Sequence, residues 1–230
     1  TLRLELNPRR IGTTMSGNVV GEIVGRKPDL PPVLLACHID SWWNAPGAFD
    51  DEAGCGIIAA AALNVARTGT PLRTIRVLMA GAEETGLWGS KAYSEAHIDE
   101  PIAVGLESDF GADRIWRFES NFRRTNPGLH AKLAKAVARF GVADSAVVAT
   151  GGADLNIVRD QEGALIDLQQ DGTRYFDLHH TPDDTLDKID PAQLRQNVAV
   201  WTQVVGILAN EPRAILDAGT VPSAPAIMDR

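Results

Sequence analysis

Two cysteines, Cys37 and Cys55, are too few for a disulfide framework, and they show no CxxC spacing of the kind zinc sites use. They leave the redox compartment unread. No apolar run approaches the roughly 18 to 20 residues of a bilayer span. The longest stretch free of charge, Ala53 to Ala66, reads instead as a buried helix. Basic side chains are in the minority, 22 Lys and Arg against 30 Asp and Glu, for a formal net charge of −8. With no Lys/Arg cluster either, nucleic acid and anionic lipid are disfavoured as main partners. An initiator methionine and a signal peptide are missing, so Thr1 is expected to be a cut point or a processing site. There is no internal repeat, no HExxH and no G-x-S-x-G elbow, which argues against an HExxH metalloprotease and a serine hydrolase.

What is present is a chain of 230 residues, 44% hydrophobic and 23% charged, enough for one domain with a sizeable core. Thr1 to Leu6 and Asn18 to Val24 alternate polar and apolar residues and predict strands. Val33 to Cys37, Thr74 to Met79 and Ile102 to Ser108 are short apolar runs, as expected of central strands buried on both faces. Helices are predicted over Asp51 to Arg67 and Leu87 to Ala96, and through Leu129, Leu133, Val137 and Phe140, with Gly141 as a stop. In Asp190-Pro191-Ala192-Gln193 an N-cap, a first-turn proline and a capping-box partner introduce a helix lined by Leu194, Val198, Trp201, Val205 and Leu208. Ala218 to Arg230 reads as a surface tail. Strands alternating with helices predict an α/β sandwich, helices flanking a largely parallel sheet.

In such sheets chemistry gathers at the carboxyl ends of strands. Here three buried strands run into acidic or imidazole groups: His38-Ile-Asp40-Ser41, Glu83-Glu84 and Glu107-Ser-Asp109. Asp50-Asp51 lies between the first strand and its helix, and His179-His180-Thr-Pro-Asp183-Asp184-Thr185 comes late. Taken singly, each has an ordinary explanation. His38 suits a satisfied core histidine. Asp50 or Asp51 suits a helix cap, Glu83 and Glu84 suit a helix first turn, and Asp183 or Asp184 suits a turn after proline. Together they would repel one another unless a cation sat among them. Mixed imidazole and carboxylate donors suit zinc, and two ions would share a bridging carboxylate. Asp40, two residues along an extended segment from His38, is placed to accept its second ring N–H. Gly54-Cys-Gly56-Ile-Ile-Ala59 fits GxGxxA, but no acidic residue follows between Ala53 and Ala82 to hold a ribose, so a dinucleotide site is rejected.

Five ordered blocks complete the pattern: His38 to Ser41, Gly47-Ala-Phe-Asp50-Asp51-Glu-Ala-Gly54, Glu83-Glu84-Thr-Gly86-Leu-Trp-Gly89-Ser90, Glu107-Ser-Asp109 and His179 to Thr185. They resemble the M28 family of dizinc exopeptidases, and within it the branch similar to plasma glutamate carboxypeptidase (carboxypeptidase Q) and related bacterial aminopeptidases. Asn18-Val-Val-Gly-Glu22 and Tyr175-Phe176 fit the same branch, and the likeness runs from about Asn18 to about Asn197.

The resemblance implies a three-layer α/β/α sandwich with a mixed, largely parallel sheet, and a zinc-dependent exopeptidase acting on short peptides or dipeptides, foremost an aminopeptidase or dipeptidase. It implies two Zn2+ ions: His38 and Asp109 on one, Glu84 and His180 on the other, Asp50 bridging. Glu83 would be the general base and Asp40 the carboxylate behind His38. The family pattern favours His180 over His179 and Asp109 over Glu107, and implies a non-proline cis peptide at Asp50-Asp51. It implies a periplasmic or secreted location. The branch's N-terminal segment and protease-associated insert have no counterpart, so residues 1–230 are expected to be a single catalytic domain, as a fragment or a compact variant. Where the family has glycines before its bridging aspartate, this chain has Trp42-Trp43-Asn44-Ala45-Pro46, so the pocket rim differs. Trp42, Trp43, Tyr175 and Phe176 are candidates for the pocket wall, and Gly151-Gly152-Ala153-Asp154 for a substrate contact. Two alternatives stand beside this reading: a single-zinc glutaminyl cyclase of the same fold, and a receptor-type domain without metals or catalysis.

Overall fold

β2 (Val33–His38) is buried at every residue, and its side chains divide between two cores. Val33, Leu35 and Cys37 pack on one side, Leu34 and Ala36 on the other. A strand apolar on both faces needs helices above and below it. α1 (Ala53–Arg67), α3 (Pro127–Ala138) and α6 (Pro191–Leu208) supply Ile57, Leu133 and Trp201 to the first core. α2 (Trp88–His97) and α4 (Asn156–Asp160) supply Tyr93, Ile157 and Val158 to the second. The result is a three-layer sandwich, seen in a computed structural model that describes residues 2–9 and 11–216.

The sheet also contains β1 (Val19–Ile23), β3 (Ile75–Ala80), β4 (Val104–Glu107), β5 (Ile115–Ser120), β6 (Ala143–Asp144) and β7 (Leu165–Gln170). Among the described residues its order is β1-β3-β2-β4-β7-β5-β6. β3, β2, β4 and β7 run parallel, and β5 parallels β6. β1 on β3 and β5 on β7 are antiparallel, so the sheet is mixed. His38 pairs with Ala80 and Ala36 with Glu107. That register brings the carboxyl ends of β2, β3 and β4 to one edge.

Several expectations need correction. Residues 2–6 form no strand; Leu2, Leu4 and Leu6 are exposed, because no described strand lies alongside to pair with their alternation. The helix expected from Asp51 starts at Ala53, after a wide turn over Ala48–Glu52 that holds both aspartates. α3 stops at Ala138, short of Phe140, and Gly141 follows with φ +82°. At α6 the Asp190 carboxylate does accept from Ala192 N and Gln193 N, but the Gln193 side chain accepts from Arg114 N rather than closing a capping box. The expected tail from Ala218 lies outside the described residues. Cys37 and Cys55 form one disulfide that ties the end of β2 to the first turn of α1. No described helix is long and apolar enough to cross a membrane.

Candidate metal centre

His38 ends β2, Glu83 and Glu84 follow β3, and Asp109 follows β4, so parallel pairing alone brings three of the sequence blocks together. The fourth, Asp50, sits in the wide turn between β2 and α1, joined to Asp51 by a non-proline cis peptide. Gly54 makes that turn fit: a Cβ there would lie 2.1 Å from Asp51 Oδ1 and from the Ser108 carbonyl. The fifth, His180, follows the short α5 (Tyr175–Leu178) and adopts φ +61°, a left-handed conformation unfavourable for a side chain with a Cβ.

Asp50 stands in the middle, 4% exposed. Its Oδ1 is 3.1 Å from His38 Nε2, and its Oδ2 is 3.4 Å from His180 Nε2. His38 Nε2 also lies 3.5 Å from Asp109 Oδ1, and His180 Nε2 2.7 Å from Glu84 Oε2. Two donor sets therefore flank one carboxylate. His179 Nε2 is likewise 3.4 Å from Asp50 Oδ2, but it is His180 that also reaches Glu84. Glu107 turns away, its Oε2 accepting from Asp154 N at 2.8 Å. Asp184, given only a turn-shaping reading above, is wholly buried and accepts from Phe49 N and Asp50 N, fixing the main chain that carries the central carboxylate. Its place in the block with His180 was the one sequence signal for that.

Asp40 departs from the expected contact. The Nδ1 of His38 meets the Asp40 carbonyl at 2.8 Å, whereas the Asp40 carboxylate lies 3.7 Å away. That carboxylate accepts from Glu83 N at 2.9 Å and Glu84 N at 3.3 Å instead. It secures the main chain that carries both glutamates.

The electrostatics ask for a cation. Burial, with Asp50 second, raises the Glu84 carboxyl; burial also raises Asp109 and pushes Glu83 up to about 7. Burial pulls His38 down, but the carboxylates of Asp109 and Asp50 outweigh it and hold the imidazole well above the usual histidine range. The donor set suits zinc: atoms of His38, Asp50 and Glu84 lie within 4.8 Å of one another, as do those of Asp50, His179 and His180. The buried Oε1 of Glu84 has no partner in the protein. A cavity of about 310 Å³ opens on this cluster, walled by Glu83, Glu84, Asp50, Asp109, Tyr175 and His180 among others.

A family model described as peptidase family M28 matches residues 18–205. The chain belongs to peptidase family M28. Carboxypeptidase Q of Mus musculus is 29% identical over 213 residues, covering 91% of this chain and 45% of that protein. The crystal structure of a peptidase M28 precursor from Shewanella amazonensis is similar at TM-score 0.80 and 38% identity, over 90% of this chain and 47% of that one. An aminopeptidase from Aneurinibacillus sp. strain AM-1, at 24% identity and TM-score 0.65, shares the fold over 90% of this chain and 52% of its own. This chain thus spans about half the length of the relatives it matches.

In this M28 chain the aromatic residues flagged above part company. The Trp42 ring stacks on His180 at 4.2 Å, and buried Tyr175 stacks on Phe110 and on His179. Trp43 and Phe176 are exposed, 84% and 72%.

Proposed function

We propose that this chain is a two-zinc exopeptidase that removes residues from the amino end of short peptides. The observation that carries the proposal is the single buried carboxylate of Asp50, with His38 at one oxygen and His180 at the other. His38, Asp109 and Asp50 would hold one ion, and Glu84, His180 and Asp50 the second. Bound zinc would supply Lewis acidity, polarising a peptide carbonyl and acidifying a water. Glu83, on the wall of the same cavity, is the base: its carboxylate takes the proton of the attacking water, holds it, and returns it to the leaving amine. Asp40 keeps Glu83 in place through its main-chain N–H.

The amino-end preference rests on charge. Among the described residues, carboxylates line this cavity and the one beside it and no Lys or Arg does, a setting that favours a terminal ammonium over a terminal carboxylate. The disulfide beside the centre agrees with export to an oxidising compartment.

Zinc content after chelation and reloading, with hydrolysis of free and N-acetylated dipeptides, tests the reading. Two ions per chain and cleavage of free dipeptides only are expected. One ion per chain with cyclisation of N-terminal glutamine would replace the reading with a cyclase.

A further inference from the structure

A second cavity of about 180 Å³ adjoins the metal centre and shares the wall residue Asp109 with it. It is bounded by Glu107, Phe110, Gly152, Asp167 and Leu168 among others. One wall is a purpose-shaped loop. Thr150 N and Gly151 N donate to the two oxygens of Asp167 at 2.9 and 3.0 Å, Gly151 takes φ +73°, and Asp154 N donates to Glu107 Oε2. Gly152 lies so close to Glu107 that a Cβ would sit 2.2 Å from its Cδ.

The loop satisfies Asp167 fully and Glu107 only by half. The Oε1 of Glu107 is buried with no partner in the protein. Next to it Asp154 is 1% exposed, and both its carboxylate oxygens also lack partners. Arg159, whose charge Glu107 feels, spends its guanidinium on the carbonyls of Gly152 and Ala153 and on Asn156 Oδ1. Buried carboxylate oxygens without partners are costly unless something else completes them. The cavity therefore offers apolar walls from Phe110 and Leu168 leading to a carboxyl group, Glu107, with one oxygen left without a hydrogen-bond donor. That is the complement of a methylene stem ending in a cation.

We propose that this second cavity is a side-chain subsite for lysine or arginine at the substrate's N-terminal residue, with Glu107 receiving the cationic head. The inference rests on the aminopeptidase reading, and the two cavities meet at Asp109. It makes Glu107, rather than any metal-binding residue, the determinant of side-chain choice.

Calorimetric binding of L-lysinol and L-norleucinol to the zinc-loaded protein tests this, because the two differ only in the terminal ammonium and neither is hydrolysed. At least tenfold tighter binding of lysinol is expected, falling below threefold in Glu107→Gln. The 4-nitroanilides of lysine and norleucine should show the same ratio in kcat/KM. Equal binding of the two aminols by the parent protein would overturn the subsite, leaving the α-ammonium as the group recognised. Discrimination that survives unchanged in Glu107→Gln would overturn the assignment of Glu107. Discrimination in binding without hydrolysis of either anilide would count against the peptidase reading and leave the subsite standing.

Discussion

In the proposed mechanism Glu83 and Glu84, neighbours in sequence, have opposite duties, and a one-atom change separates them. Glu83→Gln keeps the shape and every main-chain contact but removes the proton acceptor. It should retain both zinc ions by elemental analysis and lose about 10²- to 10⁴-fold in kcat. Glu84→Gln should instead lose one ion. Asp154 gives a test based on pH. Burial pushes its carboxyl up to about 6, so ionising it in the folded state is a penalty absent below about pH 4 and complete above pH 6. Asp154→Asn should then stabilise the zinc-free protein by about 1–3 kcal/mol at pH 8 and by nothing at pH 4, as urea melts at the two pH values would show. At this scale the sequence was informative about residue type and poor about direction. His38, Glu84 and Asp109 are drawn together because strand ends fix where they start. The Asp40 carboxylate was legible as near the site but not in its contact, since it turns on the path of the loop after β3, which no local pattern encodes.

Elements were legible where burial made them monotonous. β2, β3, α1 and α6 are apolar over most of their length, and their predicted bounds differ from the structure by a few residues. β5 and β7 went unassigned because half of each is polar: Arg117, Glu119 and Ser120 in one, Asp167, Gln169 and Gln170 in the other. Those residues answer to tertiary partners, as when Gln169 donates to Glu119 and Gln170 to the Gly111 carbonyl. Residues 2–6 show the reverse error, an alternating pattern without a neighbouring strand. The link between β2 and α1 carries its own prediction. A bridge across a separation of 18 residues limits the unfolded chain, so Cys37→Ala/Cys55→Ala should lose about 3 kcal/mol in denaturant melts. Because the bridge adjoins His38, the same variant should bind zinc more weakly. Unchanged zinc affinity would show that β2 and α1 hold the site unaided.

For the whole molecule, the sheet, seven strands among the described residues, acts as a frame whose one edge gathers acidic side chains from stretches far apart in sequence. Folding without a cation must bury Asp50, Glu84 and Asp109 against one another, so metal binding and stability are linked. Zinc at a hundred times its dissociation constant should stabilise the fold by about 2.7 kcal/mol per site, seen as a rise in Tm that chelator reverses. The alternation of strands and helices made the layered architecture legible from sequence. The antiparallel attachment of β1 and β5 was not, because hydrophobic pattern reports burial and not strand direction. The central claim is that Asp50 joins two cations. Anomalous diffraction at the zinc edge from crystals grown with zinc tests it most directly. Two peaks about 3.5–4 Å apart, one on the His38 side of Asp50 and one on the His180 side, are predicted. A single peak, or none touching Asp50, would contradict it.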